Sequence, residues 1–127
     1  MSQSSSAPSP VEVRLDRAEG RLEVLWEDDH RSSYRWRYLR GFCPCAECQG
    51  HAPRKWTFVD ISEPRLSRIE EAGRYALNFI FEDGDDAKHD TGIYSYEILR
   101  RLCPCEACRA AEGQHHAVRQ WPAEEPL

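Results

Sequence analysis

Leu39-Arg40-Gly41-Phe42-Cys43-Pro44-Cys45-Ala46-Glu47-Cys48 recurs, at an offset of 60 residues, as Leu99-Arg100-Arg101-Leu102-Cys103-Pro104-Cys105-Glu106-Ala107-Cys108. The register extends upstream, matching Tyr34 to Tyr94 and Trp36 to Tyr96, and the two CPCxxC clusters hold all six cysteines of the chain. A self-match of this length points to an internal duplication. Farther upstream, with small differences in length, Trp26-Glu27-Asp28-Asp29-His30 corresponds to the stretch from Phe81 to His89. Each half therefore reads strand, acidic turn, histidine, aromatic helix, cysteine cluster.

The apolar pattern around these clusters has the period of strands. Val11, Val13 and Leu15 alternate with Glu12 and Arg14, a turn signal stands at Glu19-Gly20, and Leu22, Val24 and Trp26 alternate again. Leu66 and Ile69 before Ala72-Gly73, with Tyr75 to Phe81 after it, predict a second strand pair. The segment from Tyr34 to Leu39 reads as a short helix or turn that delivers the cysteines, stopped by Pro44, which has no N–H. The fold class expected is α+β: a small pseudo-twofold domain of two repeats, about 11–51 and 62–116, each a strand pair, a helix and a CPCxxC cluster. Two units too small to fold alone would bury their strand faces against each other. Residues 1–10 and 117–127 are polar and Pro-rich, and are expected as disordered or flexible tails around a single domain over 11–116.

The chain has 127 residues and a formal net charge of −5, which suits one domain and argues against recognition of nucleic acid through phosphate neutralisation. Arg31, Arg35, Arg37 and Arg40, interleaved with Tyr34, Trp36 and Tyr38, are accordingly read as the solvated face of an amphipathic helix. Glu82, Asp83, Asp85 and Asp86 are read as a polar turn. No apolar run approaches the roughly 18 residues of a membrane helix, and the N-terminus lacks the charged start and apolar stretch of a signal peptide. The expected compartment is the reducing cytoplasm, where six thiols are metal ligands sooner than disulfides.

Cys-x-Cys-x-x-Cys places three sulfurs close enough to wrap one ion, and soft thiolates favour zinc. A closed tetrahedral site needs a fourth ligand, commonly histidine. His51 is the local candidate for the first cluster, and His115 and His116 are the local candidates for the second. His30 and His89 instead occupy equivalent repeat positions, and each could close its own cluster or exchange with the other. Two zinc ions are expected, with iron, an iron–sulfur cluster or thiol redox chemistry as the alternatives. A site filled by three Cys and one His leaves no open position for water or substrate, and no nucleophile-and-base pattern appears elsewhere, so a non-catalytic module is expected, without an evident small-molecule substrate.

Leu39 to Cys48 together with His89-Asp90-Thr91-Gly92-Ile93-Tyr94-Ser95-Tyr96, preceded by Trp26-Glu27-Asp28, resembles the N-terminal domain of gamma-butyrobetaine hydroxylase and its small stand-alone relatives, over roughly residues 9–109. The resemblance implies zinc held by Cys43, Cys45, Cys48 and His89, the exchanged arrangement. This chain departs from the hydroxylase in keeping a second complete CPCxxC, to which symmetry assigns Cys103, Cys105, Cys108 and His30. The hydroxylase's chemistry needs Fe(II), 2-oxoglutarate and a separate catalytic domain, whose His-x-carboxylate signature does not occur here. In the hydroxylase the comparable domain helps form the dimer and lies against the catalytic part. The expected partner is therefore a second copy of the chain or an oxygenase subunit, with an iron-handling accessory as the alternative role.

Overall fold

Two hairpins follow from the alternating segments. β1 (Pro10–Asp16) pairs antiparallel with β2 (Arg21–Trp26), and β4 (Arg65–Glu71) pairs antiparallel with β5 (Ala76–Glu82). Their turns contain Gly20 and Gly73 at φ +67 and +68, left-handed backbone that a glycine adopts without steric cost. The computed structural model describes residues 8–45, 48, 58–83, 88–105, 107 and 108.

Each hairpin is extended by a third strand that the expected strand pairs did not include. β3 (Arg31–Arg35) pairs with the free edge of β2, and β6 (Lys88–Ser95) pairs with the free edge of β5, giving the orders β1-β2-β3 and β4-β5-β6. Tyr34, expected in a helix, is therefore a strand residue, and α1 begins only at Trp36 and runs to Gly41. The helix α2 spans Tyr96–Arg101. Arg31-Ser32-Ser33-Tyr34-Arg35 forms a strand because β2 offers an unpaired ladder of N–H and C=O groups, which need partners whatever the side chains. Ser32 faces inward at 2% exposure, where its Oγ accepts a 2.8 Å hydrogen bond from the indole N–H of buried Trp26.

The duplication extends to strand register. Leu22 opposes Tyr34 in the first sheet as Leu77 opposes Tyr94 in the second, and Val13 opposes Val24 as Ile69 opposes Phe79. The first strand of each sheet slips register at matching places, between Pro10 and Glu12 and between Leu66 and Arg68. The inward residues Leu22, Val24, Trp26 and Tyr34 join Leu66, Leu77, Phe79, Phe81 and Tyr94 in one buried cluster, closed by Tyr38, Leu39 and Leu99 from the helices.

Ser9 N–H donates to Glu27 Oε1, and Glu27 N–H to the Ser9 carbonyl, so Ser9 and Pro10, assigned by composition to the tail, are tied to the first sheet by backbone pairing. His51, His115, His116, Asp85, Asp86 and residues 109–127 lie outside the described residues. No helix among the described residues is long and apolar enough to cross a membrane.

Candidate metal centres

The helices deliver the cysteines through one local device. Pro44 has no N–H to give to the Arg40 carbonyl, so the Cys43 N–H takes it instead at 3.1 Å, and the Leu39 carbonyl loses its intrahelical partner. The buried hydroxyl of Tyr94, from the other half, donates to that carbonyl at 2.5 Å. The second half repeats the device: Cys103 N–H bonds to the Arg100 carbonyl at 3.1 Å, and Tyr34 Oη donates to the Leu99 carbonyl at 2.5 Å. Burial raises both tyrosine pKa values well above the ordinary range, so both hydroxyls remain neutral donors. Tyr38 Oη adds a third bond between halves, to the Leu102 carbonyl at 2.6 Å.

These contacts set each CPCxxC cluster beside the histidine of the opposite half. In site 1, His89 Nε2 lies 3.2 Å from Cys43 Sγ, 3.6 Å from Cys45 Sγ and 3.9 Å from Cys48 Sγ. In site 2, His30 Nε2 lies 3.4 Å from Cys103 Sγ, 3.8 Å from Cys105 Sγ and 3.3 Å from Cys108 Sγ. Within each group the four ligand atoms fall inside 4.8 Å of one another. An ideal tetrahedral zinc with bonds of about 2.3 Å to sulfur and about 2.0–2.1 Å to nitrogen would separate N from S by roughly 3.6 Å. The observed spacings straddle that value, so both quartets fit one tetrahedral ion each.

The surroundings suit a thiolate-rich ion. Arg40 Nη1 donates to Cys48 Sγ at 3.2 Å, while its Nε and Nη2 hold the Asp83 carboxylate at 3.0–3.1 Å. Burial works against the Arg40 charge, but the hydrogen bonds to Asp83 and Cys48 outweigh it and raise its pKa. Arg40 is thus no solvated arginine of an amphipathic face: it is 5% exposed. Its counterpart Arg100 holds Asp28 with two bonds, at 3.1 and 2.9 Å, and lies over the Trp26 ring at 5.3 Å. In each case an arginine from one half pairs with the aspartate ahead of the other half's histidine. These aspartates were legible only as acidic turn residues, although their equivalence across the repeat was a signal.

Close packing also shapes the sites. A Cβ at Gly92 would sit 3.2 Å from Cys43 Sγ, so the glycine lets the first sulfur approach β6. The corresponding repeat position in β3 is Ser32, whose hydrogen bond with Cys103 opposes the rise in thiol pKa caused by burial. Burial raises the Cys43 and Cys48 thiols and brings Cys108 to about 12. Burial and then the Arg100 charge hold His30 below its ordinary value, which favours the neutral ring that a metal needs.

The family profile described as "Gamma-butyrobetaine hydroxylase-like, N-terminal" matches residues 13–100. Among solved structures, the chain is 32% identical to a crystal structure from Acidithiobacillus ferrooxidans ATCC 23270, a protein with unknown function of the DUF971 family; the match covers 74% of this chain and 91% of that one, with a TM-score of 0.58. It is 28% identical to each of two proteins solved by NMR in solution. One match covers 81% of this chain and 74% of that one at a TM-score of 0.64, the other 77% and 74% at 0.59. No curated protein matches.

Proposed function

The chain belongs to the gamma-butyrobetaine hydroxylase-like N-terminal family, and from that premise we propose that it is a non-catalytic accessory module carrying two structural zinc sites. Cys43, Cys45, Cys48 and His89 hold one ion; Cys103, Cys105, Cys108 and His30 hold the other. The observation that carries this reading is the exchange of histidines, which makes each ion a tie between the halves. Structural zinc contributes on the order of 10 kcal/mol to the folding of small modules.

Three features support zinc in a supporting role. The donor set, three thiolates and an imidazole, is that of closed tetrahedral sites and leaves no position for water or substrate. With the four ligand atoms of each quartet all within 4.8 Å of one another, each suits a single ion sooner than an iron–sulfur cluster with bridging sulfides. With three thiolates, a neutral histidine and a divalent ion, each site carries −1; at site 1 Arg40, shared with Asp83, donates to one of the sulfurs. Bound zinc would supply fixed geometry and charge, not redox chemistry.

The module acts by presenting its folded surface to a protein, a second copy of itself or an oxygenase subunit, in the cytoplasm. Metal analysis with an absorbance spectrum of the purified full chain tests the zinc reading. Two zinc per chain and no visible colour are expected; a brown protein containing iron would overturn it in favour of an iron-handling accessory.

A further inference from the structure

We infer that the two metal sites are unequal, site 1 holding its ion the more firmly and site 2 giving up its ion faster to a soluble acceptor. The inference rests on the metal-binding reading above and adds a division of labour between sites made of identical ligands.

The pseudo-symmetry makes the comparison direct, because each residue around one site has an aligned position at the other. His89 is 7% exposed, whereas His30 is only half-buried. The Arg40–Asp83 pair is nearly dry, with side chains 6% and 13% exposed, whereas the Arg100–Asp28 pair is wet, at 22% and 48%. Arg40 also reaches into its own site and donates to Cys48 Sγ, while Arg100 turns its guanidinium to Asp28 and the face of Trp26.

A covering strap adds to the difference. Phe58 packs on Phe42 with ring centroids 5.1 Å apart and lies against Gly41 so closely that a Cβ there would fall 2.0 Å from the ring. Val59 N–H donates to the Gly41 carbonyl at 2.9 Å, and Arg37 holds Asp60 at 2.7 and 2.8 Å. Residues 58–60 thereby cover the helix that leads into site 1. The residue equivalent to Gly41 in α2 is Arg101, an exposed side chain paired with Glu97, which bars a ring from seating there in the same way.

Ligand exchange at a closed tetrahedral site needs an incoming donor to reach the ion as a resident ligand leaves. Cys45 and Cys48 at site 1 are half-buried like Cys105 and Cys108 at site 2, so the sites differ on the histidine side: water and a chelator can approach site 2 past His30 and the open Asp28 pair, whereas the buried His89 and the Arg40–Asp83 pair close that approach at site 1. Outer contacts of this kind change metal affinity roughly 10–100-fold.

The test uses the zinc-loaded full chain, a chromogenic zinc chelator in excess and a thiol-alkylating reagent. Release in two phases of equal amplitude, separated roughly tenfold or more in rate, with Cys103, Cys105 and Cys108 alkylated during the fast phase, is the expected result. His30→Ala should remove the fast phase and leave the slow one. Two ions leaving at one rate, or early alkylation of Cys43, Cys45 and Cys48, would overturn the inference and leave the zinc reading standing. A purified chain that takes up no zinc would overturn the zinc reading itself.

Discussion

Tyr94 Oη donates a hydrogen bond to the carbonyl of Leu39, 55 residues earlier in the chain, and Tyr34 makes the reciprocal bond to Leu99. The two bonds exist because Pro44 and Pro104 each leave one helical carbonyl without its usual donor. The same prolines that turn the chain into the cysteine clusters therefore create the acceptors that lock the halves together.

Tyr34→Phe and Tyr94→Phe should each destabilise the zinc-loaded protein by about 1–3 kcal/mol, the cost of leaving a buried acceptor unpaired. Urea unfolding checks this. Equal losses for the two variants follow from the symmetry of the bonds; a loss from neither would mean that water reaches the carbonyls.

Arg40→Ala should cost about 3 kcal/mol, because it leaves the mostly shielded Asp83 carboxylate without its partner. Arg100→Ala should cost no more than about 1 kcal/mol, since the Asp28 pair is open to solvent and screened. Thermal unfolding of the two variants under the same zinc concentration measures the difference.

Gly41→Ala should destabilise by about 1–3 kcal/mol through overpacking against Phe58. Phe58→Ala opens that space, so the double variant should be less damaged than the sum of the singles. Additive losses in a double-mutant cycle would show that the ring moves aside freely.

Metal uptake should release protons and weaken on acidification. Burial holds the thiols of Cys43, Cys48, Cys103 and Cys108 above their ordinary values, so at neutral pH these groups are protonated in the metal-free protein and must ionise to bind. Each thiol that starts protonated makes the affinity fall about tenfold per unit of pH below its pKa. Cys105 contributes less: burial raises it too, but hydrogen bonds from Cys108 outweigh that and lower it. Zinc titrations between pH 6 and 8 in two buffers of different ionisation enthalpy measure both the slope and the protons released.

The repeat of CPCxxC and the alternation in β1, β2 and β5 are strong local signals, and they carry the α+β class and the pseudo-twofold plan. β3 and β6 are weak ones. Arg31-Ser32-Ser33-Tyr34-Arg35 and Lys88-His89-Asp90-Thr91-Gly92 are polar, and they become strands through backbone pairing to a neighbour, a tertiary demand that single-chain periodicity does not record. The juxtaposition of His89 with the first cluster came from the family resemblance and that of His30 with the second from symmetry. Spacing alone left His51, His115 and His116 as candidates. The strap at Phe58 had no sequence signal beyond an aromatic residue after the cluster, and its seat is visible only as a glycine where the repeat has an arginine.

Cadmium-113 NMR of the cadmium-loaded full chain, with correlations from each metal to the protons of its ligands, tests most directly the claim that two ions join opposite halves. Two resonances are predicted: one correlated with the β-protons of Cys43, Cys45 and Cys48 and the ring of His89, the other with Cys103, Cys105, Cys108 and His30. Correlation of either cluster with a histidine of its own half, His51, His115 or His116 included, would contradict it.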